Sequence, residues 1–231
     1  MSMPFYVSPE QVMADKAEYA RKGVARGKSS VTLEYDSGVL MMAENPSSLS
    51  KIGEIYDRIA FAGVGKFSEF DQLRKLGVRF ADMKGFSYSR EDVRARALAN
   101  AYSQAIGDAF TRELKPLEVE IIVAEVGDDQ LAGQEPNAIF RVQFDGSISD
   151  HEGYCVIGGE FEEIRAHLES NFSAGLPLGD GLRLGRAALE RAQGQPHVEP
   201  KNLEVGVLER ARPGRKFRRL SADEVAGILG S

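Results

Sequence analysis

The chain has 231 residues, 42% of them hydrophobic and 28% charged, with a formal net charge of −6. That fits one large domain or two small ones with a sizeable core, and the acidic balance argues against nucleic acid or an anionic membrane as main partner. No apolar run approaches the roughly 20 residues needed to span a bilayer, and a lone Cys155 excludes an internal disulfide. Met1 to Ser8 lack the basic region and long apolar stretch of a signal peptide, so a soluble cytoplasmic protein is expected.

The first predicted element is a helix. Ser8, Pro9 and Gln11 fit a capping box with proline at the first helical position. Met13, Ala17, Ala20 and Val24 then form one apolar stripe. Ser30 to Tyr35 and Val39 to Ala43 read as strands joined by the tight turn Asp36-Ser37-Gly38. Ile59 to Val64 is a third strand. A short helix carrying Phe70, Leu73 and Leu76 follows, expected to stop at Gly77.

A long helix is predicted from about Ser89, with Leu98, Tyr102, Ala105 and Ala109 on one face and Pro116 at its end. Its many alanines allow close approach to a neighbour. Strands follow at Leu117 to Val126, Ile139 to Phe144 and Tyr154 to Ile157, with a turn at Asp145-Gly146 between the last two. Gly127 to Asn137 reads as a polar loop. One helix carries Ile164, Leu168 and Phe172, and another starts near Asp180 with Leu182, Gly185 and Leu189. Leu203 to Leu208 and Arg215 to Leu220 are strands, and Ser221 with Glu224 caps a final helix. Blocks of strands alternate with blocks of helices, unlike the strict alternation of a parallel doubly wound sheet. The order suits an α/β (α+β) fold of antiparallel sheets with helices packed outside, in one domain.

The residues taken singly nominate no active site. Gly63-Val64-Gly65-Lys66 hints at a phosphate loop, but the pattern needs a glycine where Ala60 stands and a Ser or Thr where Phe67 stands, so a structural turn is expected. Gly85-Phe86-Ser87-Tyr88 begins like a nucleophile elbow but continues with Ser89 instead of glycine, so loop plus helix cap is the better reading. His151, His167 and His197 have no metal-ligand spacing with each other or with Cys155, which sits in an apolar strand as a core thiol. Arg210, Arg212, Arg215, Lys216, Arg218 and Arg219 form a basic cluster with Phe217 as its one aromatic, better suited to a solvated strand or a subunit contact than to nucleic acid.

Several stretches, in the same order along nearly the whole chain, resemble proteasome α-type subunits, especially those of actinobacteria. Ser8-Pro9 and Glu18-Tyr19-Ala20-Arg21 match the family's first helix; Lys28 to Tyr35 and Val39 to Asn45 match its first hairpin. Lys51-Ile52, Ile55, Asp57 and Phe61 to Gly65 match the next segment. Val119 to Val126, Phe144-Asp145-Gly146 and Ile157-Gly158-Gly159 match later strands. Glu10-Gln11-Val12 and Gly127-Asp128-Asp129-Gln130 replace motifs of eukaryotic and archaeal members and point to the bacterial branch.

The resemblance implies a four-layer αββα N-terminal-nucleophile hydrolase sandwich with an extra N-terminal helix, residues 1–8 being a gating tail and 9–231 a single domain. In catalytic relatives an N-terminal threonine is the nucleophile and its own amine helps act as the base. The matching position here is near Lys28, which has no hydroxyl, so no catalytic residue, cofactor or metal is expected. The implied role is structural: neighbouring α subunits form a heptameric ring, stacked on proteasome β subunits as an α7β7β7α7 particle. Met1, Ser2, Met3, Pro4, Phe5, Tyr6, Val7 and Ser8 are the implied gate; fully extended they reach about 28 Å. Lys51 is the implied docking residue, its ammonium receiving the C-terminal carboxylate of a ring-shaped activating ATPase. No nucleic acid and no membrane partner is expected. The alternative is a self-processing N-terminal-nucleophile amidohydrolase cut before Ser29 or Ser30.

Overall fold

A computed structural model describes residues 8–127, 136–159, 161–192 and 198–230. Helix α1 (Pro9–Ala25) leads into the hairpin β1 (Ser30–Tyr35) and β2 (Gly38–Glu44), followed by β3 (Ile52–Tyr56) and β4 (Ile59–Gly65). Helix α2 (Phe67–Ser87), a 3-10 turn at Arg90–Asp92 and α3 (Ala95–Arg112) come next. The second block of strands is β5 (Val119–Glu125), β6 (Ala138–Val142), β7 (Ile148–His151) and β8 (Tyr154–Ile157). Helices α4 (Phe161–Asn171) and α5 (Leu178–Ala192), a 3-10 turn at Pro200–Asn202, strands β9 (Leu203–Glu209) and β10 (Phe217–Leu220), and α6 (Ala222–Gly230) complete the order.

The strands form two antiparallel sheets, β10-β9-β2-β1-β8 and β3-β4-β5-β6-β7. Three apolar cores separate four layers. On one outer face, Leu33, Leu40 and Val207 of the first sheet pack against Leu168 of α4 and Leu182 and Leu189 of α5. On the other, Phe61, Ile121 and Val123 meet Phe70 of α2 and Leu98 and Tyr102 of α3. Between the sheets lie Val39, Met41, Ala60, Ala62, Ile122 and Ala124. Successive side chains of a strand point to opposite faces. Every residue of β2 and β5 is therefore buried, one face per core, which is why these strands read as continuous apolar runs instead of alternating. The predicted αββα sandwich with an extra N-terminal helix is what the chain forms.

The caps follow the sequence. Ser8 Oγ accepts the Gln11 N–H at 3.2 Å, while the Gln11 side chain turns away to Asp15. Ser221 and Glu224 make the reciprocal pair in full. The apolar stripe of α1 divides in two: Ala20 and Val24 are buried, whereas Met13 stays exposed beside Val12 and Tyr19. Lys16 donates to the Phe110 and Glu113 carbonyls at the end of α3, where a cation complements the helix dipole.

Several expectations need correction. Gly77 does not stop α2, which continues to Ser87 and takes up Gly85 and Phe86. The glycine instead makes room for Tyr102, whose hydroxyl lies 1.7 Å from where a Cβ would stand. Of the three apolar residues named on this helix, Phe70 and Leu73 are buried and Leu76 is exposed. Helix α3 starts at Ala95, and Ser89 caps only the preceding turn. Its first N–H is held across the fold by Glu125 Oε2, at 2.8 Å. Pro116 lies beyond the end of α3 at Arg112. Strands β3 and β7 were not foreseen; the Asp145-Gly146 turn leads into β7, not directly to Tyr154. Both are edge strands of the second sheet with mixed burial, so neither shows an apolar run.

Candidate functional site

Lys51 is the last residue of the connection between β2 and β3. Its backbone N–H donates to Glu204 Oε2 at 2.8 Å, and that of Ile52 to Glu204 Oε1 at 3.1 Å. Asn45, at the other end of the connection, donates to Glu204 Oε2 at 2.6 Å and to the Leu49 carbonyl at 2.7 Å. The Lys51 ammonium reaches back to two carbonyl oxygens, of Lys28 at 2.9 Å and of Glu44 at 3.3 Å. Glu44 is only 6% exposed and pairs with the Lys28 ammonium at 3.2 Å. Two lysines and two carboxylates thus gather where β1 begins, β2 ends and β3 begins.

Burial pushes the Lys51 ammonium down to about 8, against the pull of the Glu204 and Glu44 carboxylates, with Lys28 adding a smaller push in the same direction. An ammonium has three N–H donors. Among the described residues two go to the Lys28 and Glu44 carbonyls, leaving one for an incoming acceptor. The chemistry on offer is capture of an anion by a partly desolvated cation. Lys51 was legible in the sequence by resemblance; Glu44 and Glu204 were not picked out, though an acidic residue at the end of one apolar strand and the start of another is the trace they leave.

Ser29 and Ser30 lie beside the same cluster and are both fully buried. The Ser30 hydroxyl donates to the Met42 carbonyl at 3.0 Å. Gly158, at φ +119, backs so closely on Ser29 that a Cβ there would stand 2.7 Å from its Oγ. The backbone runs from α1 through Gly27 into Lys28, with the Gly27 N–H on the Val24 carbonyl.

The Gly63-Val64-Gly65-Lys66 stretch, expected as a structural turn, is the end of β4 and the N-cap of α2. Gly63 makes room for the Phe70 ring, and Gly65, at φ +109, sits against the Glu118 carbonyl. Lys66 pairs with Glu69. Cys155 is 1% exposed, and burial pushes its thiol up to about 12, which makes it a poor nucleophile. His151 bonds Ser149 and His167 sits beside Asn171, while His197 lies outside the described residues. Among the described residues no group of three His, Cys, Asp or Glu side chains is placed to hold a metal, and no helix is long and apolar enough to cross a membrane.

Five of the six cations of the basic cluster are engaged within the fold. Arg215 pairs with Glu54, Arg218 with Glu209 and Glu224, and Arg219 with Glu204. Arg210 donates to Asn137 and Lys216 to the Arg210 carbonyl. Of the gate, Met1 to Val7 lie outside the described residues, as do Asp128 to Gln130. Ser8 is placed as the helix cap.

Two antiparallel sheets between two helical layers, with an added helix before the first strand, define a four-layer αββα protein. The chain belongs to the proteasome subunit family, whose model, described as "Proteasome subunit", matches residues 24–208. It is 52% identical over 235 residues to "Proteasome subunit alpha" of Sanguibacter keddieii, spanning 100% of this chain and 91% of the relative. The protein of the same description from Thermomonospora curvata is 51% identical over 99% of this chain and 98% of its own length. That of Thermobifida fusca is 50% identical over 99% and 91%.

Proposed function

We propose that this chain is a non-catalytic α subunit of a bacterial 20S proteasome core, and that residues 9–231 act as one domain behind a gating tail, 1–8. Seven copies form each outer ring and stack on β subunits, in the cytoplasm. The tails converge on the axis and restrict access to the degradation chamber. Lys51 docks the C-terminal carboxylate of a ring-shaped activating ATPase.

One observation carries the docking reading: the Lys51 ammonium is held by two carbonyls with a donor to spare, beside a lysine and two buried carboxylates. Such a cation recognises a carboxylate by charge and by a directed hydrogen bond. The family membership and the relatives' descriptions support the α-subunit assignment. The exposed apolar residues Val12, Met13 and Tyr19 on α1 offer a surface for a neighbouring copy.

Native mass spectrometry of the chain, alone and with a candidate β subunit, tests the assignment. A four-ring particle containing fourteen unprocessed copies of this chain is the result expected of an α7β7β7α7 assembly. A monomer or dimer shortened by the residues before Ser29 or Ser30 that hydrolyses amides alone would establish the self-processing amidohydrolase instead.

A further inference from the structure

The carboxylate of Glu204 is the meeting point of four donors. Oε2 accepts the Lys51 N–H and the Asn45 amide, and Oε1 accepts the Ile52 N–H and the Arg219 guanidinium. Arg219 also donates to the Ile52 carbonyl at 2.6 Å, so the backbone of Ile52 is held at both its N–H and its carbonyl. The pairing of β9 with β2 runs through backbone groups and needs no acid at this position. A carboxylate 9% exposed is tolerated only when its lone pairs are occupied, and here three of the four donors come from the two ends of the β2–β3 connection and the fourth from β10.

We infer that Glu204 is the positioning residue of the carboxylate-docking site: it fixes the Lys51 backbone so that the ammonium meets the Lys28 and Glu44 carbonyls and turns its third N–H outward. The inference rests on the docking reading of Lys51. The geometry demands such an anchor, because a lysine has four rotatable side-chain bonds and its ammonium is aimed only if its backbone is held. Glu204 also acts through its charge. The charged groups facing the ammonium are Lys28 ahead of β1, Glu44 on β2 and Glu204 on β9. Of the two that keep it protonated against burial, Glu204 contributes most.

The test is Glu204→Gln in the core particle assembled with its β partner. The amide keeps the shape but replaces one acceptor oxygen with a donor. Lys51 is titrated through the pH dependence of its acylation, read by peptide mass spectrometry. Stimulation of peptide hydrolysis is measured with a short peptide ending in a free carboxylate, its C-terminal amide serving as control. The expected result is a Lys51 midpoint at least about half a pH unit lower, with about a two-fold or greater loss of potency for the free-acid peptide at pH 8. A Lys51 midpoint equal to that of the unsubstituted particle overturns the inference. A shifted midpoint with unchanged peptide potency leaves Glu204 as the anchor of the ammonium and removes docking from Lys51. Should the variant fail to assemble, hydrogen exchange of the unsubstituted particle decides. The Lys51 and Ile52 amides should exchange at least about a hundred-fold more slowly than that of exposed Ser48, and equal rates overturn the clamp.

Discussion

The ammonium of Lys51 donates to the backbone carbonyl of Lys28 across 2.9 Å. Lys51 stands immediately ahead of β3 in one sheet, and Lys28 two residues ahead of β1 in the other. The bond therefore ties the two sheets together at one end of the sandwich. In this chain that place holds a charged cluster with buried serines behind it.

Removal of the Lys51 charge should weaken docking first. A charge-assisted hydrogen bond contributes about 1.5–3 kcal/mol. Lys51→Ala is thus expected to raise the activator concentration needed for half-maximal protein breakdown about ten-fold or more. Lys51→Arg should fail to restore it, because a planar guanidinium does not present a compact ammonium's donors to two carbonyls and a carboxylate. Activation equal to that of the unsubstituted particle would remove Lys51 from the docking site.

The same lysine should make docking pH-dependent. Its ammonium is pushed down to about 8, below the ordinary value of 10.5. Below pH 8 it is charged and competent; as pH rises through 8 it loses its proton and its attraction for a carboxylate. Activator affinity should fall by up to about ten-fold per pH unit above 8. Folding has the opposite sense: the neutral amine is favoured in the native state, so its contribution to stability rises between pH 8 and 10.5. A titration of stimulation from pH 7 to 9 checks the first claim, and a flat profile contradicts it.

Deletion of Ser2 to Ser8 should raise hydrolysis of small peptides by the assembled particle if the tail is the gate. A deletion that stops at Val7 should open the gate equally while keeping the Ser8 cap on α1. Ser8→Ala alone should lower stability by about 1 kcal/mol. Thermal denaturation separates the capping effect from the gating effect, and an unchanged hydrolysis rate after either deletion would refute the gate.

Gly77 and Tyr102 make a paired prediction about the outer core. Gly77→Ala places a methyl group on the Tyr102 hydroxyl, and overpacking of this kind lowers stability by about 1–3 kcal/mol. Tyr102→Phe should be neutral or stabilising by up to about 1 kcal/mol, because the buried hydroxyl has no hydrogen-bond partner among the described residues. Urea denaturation of both variants checks the pair. A strongly destabilised Tyr102→Phe would contradict the reading of this hydroxyl as unpartnered.

Much of the fold was legible because its signals are local. Ser8 with Gln11, Ser221 with Glu224, and the Asp36-Ser37-Gly38 turn between two apolar runs each act within a few residues. Strand β2 is one unbroken apolar run because both of its faces are buried, and periodicity finds such a run even when it cannot say what covers each face.

The sequence by itself determined the order of the helices and of eight of the ten strands, the caps at Ser8 and Ser221, and the absence of a hydroxyl at Lys28. Tertiary structure alone decided the rest. It showed that Gly77 yields to Tyr102 instead of ending a helix, that β3 and β7 close the edges of a sheet, and that Glu204 lies under Lys51. The Gly77–Tyr102 and Lys51–Glu204 contacts join residues 25 and 153 positions apart, and the mixed burial of the two edge strands depends on what packs over them, so a one-dimensional pattern holds neither.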